Sequence, residues 1–275
     1  MTEDKMRVAI QSIIEKMMER VMKRVLEEDP FISEEHRAKK PLYAALVPDE
    51  IFKGSHFERR FVTPFGKAWE NLAEVVAKEG LGHCEKGYTI FGNVKQGRLR
   101  RISEILSRLE HPESGQKKIK PNWDEELSYI LKGKGKDIPV QVVCDLYIED
   151  KHGKKSAFEL KAPLPNSDQT KVSKEKLLKL YCMNPSLIDE AYFALPYNPY
   201  KVKENYAWSF PKRWFNMNED RVVLIGNEFW DKIGGEGTYN SFIDAVNEIG
   251  KKYKARIYRE FLEIEANNNN FSLDN

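Results

Sequence analysis

The chain has 275 residues, 41% of them hydrophobic and 11% aromatic, which is enough for a buried core and too much for a disordered polymer. Its longest apolar runs, such as Val222-Val223-Leu224-Ile225, fall far short of the roughly 18 residues a membrane span requires, and the charged stretch 1–26 does not read as a signal peptide. Charges nearly balance, 45 Lys+Arg against 43 Asp+Glu for a formal +2, and three widely spaced cysteines without a CxxC argue against a disulfide framework or a zinc cluster, so a reducing cytoplasm is the expected compartment.

Met6, Ile10, Ile13, Met17, Val21 and Val25 recur at helical spacing and predict a helix over 3–28, stopped by Asp29-Pro30. A proline-punctuated connector is expected over 30–50, with a short apolar stretch at 42–47. A second helix is expected over 55–79, with Ser55 as N-cap, Gly80 just past its end, and Pro64 and Gly66 kinking or splitting it. Residues 88–94 read as a strand that Gly92 weakens, 97–109 as a basic amphipathic helix, and 121–131 as a shorter helix capped by Asn122 with Glu125 three residues on. β-Branched residues over 138–149, a turn at Asp150-Lys151-His152-Gly153-Lys154 and a second run over 156–162 predict a β-hairpin. Then follow a helix over 171–182 with Val172, Leu177, Leu178 and Tyr181 inward, a strand over 191–195, and an aperiodic loop region over 196–220. A strand over 222–225, a short helix over 229–233 broken by Gly234-Gly235, a long helix over 238–262 and a frayed tail complete the chain. Two zones are basic beyond the overall balance: 92–120, with eight Lys/Arg to three Glu, and 151–182, with eight Lys to three Asp/Glu. Each is either a polyanion footprint or a solvated face.

The hairpin carries the chemistry. Alternation puts Val142, Cys144, Leu146 and Ile148 on one face with Phe158, Leu160 and Ala162, and Asp145 on the other with Glu159 and Lys161. A turn centred on His152 sets Asp145 opposite Glu159. Two carboxylates that close repel unless something positive lies between them, either Lys161 or a divalent cation such as Mg²⁺. An amine beside a metal-bound water can orient that water, so the trio makes a compact hydrolytic site for a phosphodiester. The plainer reading is a polar outer strand face with an ordinary Glu159–Lys161 pairing. Ala162-Pro163 ends the second strand and is expected to leave the site at an open edge.

Asp145 with Glu159-Leu160-Lys161, on a hairpin followed by a helix, resembles the PD-(D/E)xK nuclease core. More specific strings are Pro41-Leu-Tyr-Ala-Ala-Leu-Val-Pro48, Gly54-Ser-His-Phe-Glu-Arg-Arg60, Phe158-Glu-Leu-Lys-Ala-Pro-Leu-Pro-Asn-Ser-Asp-Gln169, Tyr197-Asn-Pro-Tyr200 and Trp208-Ser-Phe-Pro-Lys-Arg-Trp214. With them the chain, from about Pro41 to Leu262, resembles the TdeIII-type family of type II restriction endonucleases. Cys144, not proline, precedes Asp145, a position that varies among such nucleases.

The resemblance implies an α/β fold: a PD-(D/E)xK restriction-endonuclease-like core, a mixed β-sheet flanked by helices, with N-terminal and C-terminal helical additions. It implies a helical extension over 1–54, a nuclease domain with DNA-recognition loops over 55–265 and a tail over 266–275. Asp145 and Glu159 would hold Mg²⁺ with the main-chain carbonyl of Leu160, and Lys161 would position the attacking water and stabilise charge on the phosphate. Glu58 is either an assisting acid from a preceding helix or a salt-bridged surface residue, and His56 is a structural neighbour. Lys171 and Lys174 would contact the DNA backbone, with Lys176 and Lys179 as much plain surface as contact. Gln169 either binds a phosphate or a metal-bound water or caps the helix that follows. Base readout is expected from Asn198, Lys212, Arg213 and Asn216 in the 196–220 loop, whose Trp208, Phe210, Trp214 and Phe215 form an aromatic mini-core. Arg98, Arg100 and Arg101 are backbone contacts or a charged face. The implied activity is Mg²⁺-dependent, site-specific cleavage of double-stranded DNA by a cytoplasmic homodimer, with a cognate DNA methyltransferase as partner in a restriction-modification system. The rival readings are a repair or junction-resolving nuclease on the same core, and an inactive DNA-binding protein.

Overall fold

A computed structural model of the chain describes residues 3–111 and 120–264, so the tail expected over 266–275 lies outside the described residues. The described chain divides into two units: residues up to Val75 together with those from Asn240 on, and Val76–Tyr239. The boundary expected between 54 and 55 falls inside a helix.

In the first unit, α1 (Glu3–Lys23) buries Met6, Ile10, Ile14, Met17 and Val21 at helical spacing, and its last turn widens into a π-helix over Arg24–Glu28. The expected connector holds two short helices, α2 (Ser33–Lys39) and α3 (Pro41–Leu46). Pro41 opens α3, where its missing N–H is not needed, so the proline starts a helix there. α4 (Asp49–Gly80) begins earlier than expected, leaves Ser55 in its interior and runs on through Pro64. An aromatic ladder offsets the hydrogen bond that Pro64 removes: Phe57, Phe61, Phe65 and Trp69 meet successively at 6.3, 5.0 and 4.7 Å between ring centroids.

The second unit is a five-stranded sheet in the order β1 (Gly82–Lys95), β2 (Asp137–Asp150), β3 (Lys155–Leu160), β4 (Glu190–Leu195), β5 (Val223–Ile225). β1, β2 and β3 are antiparallel neighbours, and β3, β4 and β5 are parallel. β1 is twice the length expected because it pairs with β2 from Gly82–Asp150 to Lys95–Asp137. Gly92 does not interrupt the strand there: a Cβ at that position would lie 2.8 Å from the Met183 sulfur, so the glycine leaves room for the Met183 side chain. Between β1 and β2 come α5 (Gln96–Glu110) and α6 (Trp123–Leu131). Asn122 caps α6 by accepting from the Glu125 amide at 3.2 Å, and Glu126, one residue later than expected, returns the bond to the Asn122 amide.

The β3–β4 crossover is α7 (Ser167–Tyr181), and α8 (Asn227–Gly234) follows β5. One face of the sheet packs with α5, α6 and α7 in a large apolar core that includes Val142, Tyr147, Ala157, Leu177, Leu178, Phe193, Trp123 and Phe215. Phe158 points the other way, stacking on Tyr192 and meeting Phe229 of α8, so helices cover both faces. In the first unit, α9 (Thr238–Arg256) from Asn240 on lies along α1, joined by Arg7–Glu248, Lys252–Glu15 and Arg256–Glu19 ion pairs. None of the helices is long and apolar enough to cross a membrane among the described residues.

Candidate active site

The β2–β3 pairs turn about residue 152, as the hairpin pattern predicts: Leu146 faces Phe158 and Glu149 faces Lys155. Pairing stops there, and Asp145 lies one residue beyond the last β2–β3 pair. The β1–β2 register also skips a pair at this level, between Lys86–Leu146 and Tyr88–Cys144, where Gly87 takes a φ of 62°. Strict alternation breaks at that point: Val142 and Cys144 share the large core with Tyr147 and Ala157, which simple alternation places on the opposite face. Asp145 is thereby freed from the ladder and turned to the end of β3.

Asp145 Oδ2 accepts hydrogen bonds from the Leu160 amide at 2.8 Å and from Lys161 Nζ at 2.6 Å. Lys161 Nζ also lies 3.4 Å from Glu159 Oε2. All three predicted side chains therefore meet at the C-terminal end of β3. They do not lie at an edge of the sheet: β3 is the central strand, and the Lys161 amide still bonds to the Ala194 carbonyl of β4. The opening comes from β2 and β3 diverging.

Glu159 is 1% exposed. Burial, and then the charge of Asp145, push its carboxyl above the ordinary range against the pull of Lys161 and Lys176. Burial acts to lower the Lys161 ammonium, but the Glu159 and Asp145 carboxylates outweigh it and hold its pKa above the usual value. The neighbouring Cys144 thiol is pushed up to about 12 by burial and by Glu159, which leaves it protonated and no nucleophile.

α7 supplies a residue that the sequence left open between plain surface and DNA contact. Lys176 Nζ reaches both Glu159 oxygens, at 2.8 and 3.1 Å, and Ser173 Oγ lies 3.4 Å from Oε2. The helical spacing of 173, 176 and 177 could have signalled this, since it sets Ser173 and Lys176 beside the inward Leu177.

The other lysine assignments change. Lys174 is fully buried, paired with Glu126 at 2.5 Å and donating to the Trp214 carbonyl, so it cannot contact a DNA backbone. Burial pushes its pKa down, with Glu126 acting against that. Lys171 pairs with Glu110 at 2.5 Å and remains part-exposed. Val172, expected inward, is 50% exposed, because the buried face of α7 carries Thr170, Ser173 and Lys174 instead, with Ser173 at Glu159 and Lys174 at Glu126. Asn166, not Gln169, caps α7, accepting from the Gln169 amide at 2.8 Å, and the Gln169 side chain is exposed.

In the 196–220 segment, Lys212 and Arg213 are exposed on a short 3₁₀ turn over Pro211–Arg213. Asn198 Oδ1 closes a turn on the Tyr200 amide, and the Asn216 side chain bonds Glu219. Trp214 and Phe215 are core, whereas Phe210 is 47% exposed and leaves the mini-core incomplete. Arg100 pairs with Glu104, while Arg101 lies 4.5 Å over the Tyr129 ring and donates to its carbonyl, a packing role within α5 and α6. Glu58 is exposed on α4 in the first unit, and the three convergent residues belong to the second. His56 is buried, its Nε2 2.7 Å from the Asp29 carbonyl, in keeping with a structural place.

The donor set suits a hard, hydrated cation. Among the described residues no group of three or more His, Cys, Asp or Glu converges, so a closed protein cage does not fit; two carboxylates do, because such an ion keeps most of its waters. In an extended strand a residue's N–H and C=O point to the same side, so the Leu160 carbonyl faces β2 as its amide does.

Residues 6–250 match the family model described as "Type II restriction endonuclease, HinfI". The type II restriction enzyme HgiCII of Herpetosiphon aurantiacus is 29% identical over 230 residues, 81% of this chain and 82% of the relative. HgiBI of the same organism is 27% identical over 234 residues, 82% of each chain.

Proposed function

The chain belongs to the HinfI family of type II restriction endonucleases and is a site-specific deoxyribonuclease, and we propose that it cleaves duplex DNA at a short sequence in a Mg²⁺-dependent reaction centred on Asp145, Glu159 and Lys161. Enzymes of this class generally use a divalent metal. The observation that carries the reading is the convergence of two carboxylates and one ammonium where β2 and β3 part. Asp145, Glu159 and the Leu160 carbonyl would hold Mg²⁺, which supplies charge stabilisation at the scissile phosphate and lowers the pKa of bound water. Lys161, held as an ammonium between the carboxylates, cannot accept a proton; it orients the attacking water and neutralises charge developing on the phosphoryl oxygens. The arrangement supports reading the site as a PD-(D/E)xK core; the family matched is HinfI, and the TdeIII-type grouping rests on the sequence strings alone. Lys212 and Arg213, both exposed, are the basic residues of the expected readout set in the 196–220 segment that would reach DNA. A two-fold symmetric target cut on both strands calls for a homodimer, and host protection calls for a cognate methyltransferase.

The test is incubation of plasmid and phage DNA with Mg²⁺, followed by sequencing of the fragment ends. Discrete fragments sharing one short end sequence are expected. Cutting only at branches or lesions would replace this reading by a repair or junction nuclease. No cutting, with binding intact, would replace it by a DNA-binding protein on a nuclease fold.

A further inference from the structure

We propose that Lys176 is a positioning residue that makes cation capture at Asp145 and Glu159 conditional on the DNA phosphate; the inference rests on the metal-site reading above. Four charged side chains meet here: Asp145 and Glu159 against Lys161 and Lys176. Their formal charges cancel. A carboxylate as buried as Glu159 must be paired and hydrogen-bonded to stay ionised, and Lys176 spans both of its oxygens while Ser173 adds a third donor.

Lys176 is not a free surface lysine that swings in by chance. It is delivered by α7, which is capped by Asn166 and pinned two residues earlier by the buried Lys174–Glu126 pair. The carboxylates are thus assembled and neutralised with no metal required.

The same arrangement opposes a cation arriving alone. A divalent ion must share the Glu159 oxygens with one ammonium, sits beside a second, and meets no net negative charge. A DNA phosphate at the mouth of the site supplies the missing charge. Cation and DNA then bind with positive coupling, and each must strengthen the other by the same factor. Lys176 acts only through Glu159, so its effect is on cation affinity and not on the attacking water.

The test is a calorimetric titration of the full-length protein with Mg²⁺ at fixed pH and without DNA, comparing wild type with Lys176→Met, Lys176→Arg and Asp145→Asn. Removing the Lys176 charge is expected to tighten Mg²⁺ binding by about tenfold or more. Lys176→Arg, which keeps charge and donors, is expected to behave as wild type, and the Mg²⁺ concentration for half-maximal cleavage is expected to fall in Lys176→Met. Equal or weaker Mg²⁺ binding by Lys176→Met overturns the proposal. If that variant fails to fold by circular dichroism, Lys176→Gln gives the same reading with a hydrogen-bond donor kept. Asp145→Asn separates the two levels: if it leaves Mg²⁺ binding untouched, the metal-site reading fails, whereas loss of binding there with no change in Lys176→Met sinks only the role of Lys176.

Discussion

Lys174 and Lys176 stand two positions apart on α7, yet one is sealed beneath the helix against Glu126 and the other holds Glu159 at the site. Successive helical positions are rotated by about 100°, so two residues of offset are enough to send equal charges to different neighbours. Lys174→Met strands Glu126 without its counter-charge and is expected to cost about 3–5 kcal/mol in urea unfolding, with a Glu126→Leu companion recovering most of the loss. At the site, Lys161→Ala, Asp145→Asn and Glu159→Gln are each expected to slow cleavage by about two to three orders of magnitude while DNA binding measured without metal persists. Wild-type cutting by any of the three would show that the centre is elsewhere. Glu58→Gln on the first unit, assayed beside them, decides whether that exposed carboxylate assists.

Elements hold these residues in place through their ends and irregularities. The start of α7 depends on Asn166, whose side chain satisfies the Gln169 amide, so Asn166→Ala is expected to lower stability by about 1 kcal/mol, read as a shift in urea midpoint. The β1–β2 ladder is interrupted at Gly87 and Asp145, and that interruption, not the alternation on either side, turns Asp145 toward Lys161. In α4, the stacked aromatic side chains keep the helix continuous across Pro64. Pro64→Ala restores the missing hydrogen bond and is expected to raise stability by about 2 kcal/mol with helix content by circular dichroism unchanged. A large gain in helix content would mean that the proline breaks the helix in solution.

Over the whole molecule, stability against acid depends on carboxylates that bridge separate elements. Glu190 at the start of β4 bonds Lys154 of the β2–β3 turn at 2.8 Å and Lys232 of α8 at 2.9 Å. Burial acts to raise its carboxyl, but hydrogen bonds from Lys154, Lys232 and Tyr192 outweigh it and bring the pKa down to about 2. A group held below its unfolded value of about 4.3 contributes its stability above that pH and loses it as pH falls toward 2. The urea midpoint is therefore expected to drop across that window, with a shallower slope in Glu190→Gln; identical slopes would show that the bridge carries no linkage. Helical spacing over residues 3–28, the hairpin centred on 152 and the Asp145–Glu159–Lys161 pattern were all determined by the sequence alone, because periodicity and pairing symmetry are local properties of a chain. The burial of Lys174, the arrival of Lys176 at Glu159 and the escape of Asp145 from the ladder were decided only in the tertiary structure. A charged side chain takes its role from what lies across from it, and those neighbours come from elements tens of residues away.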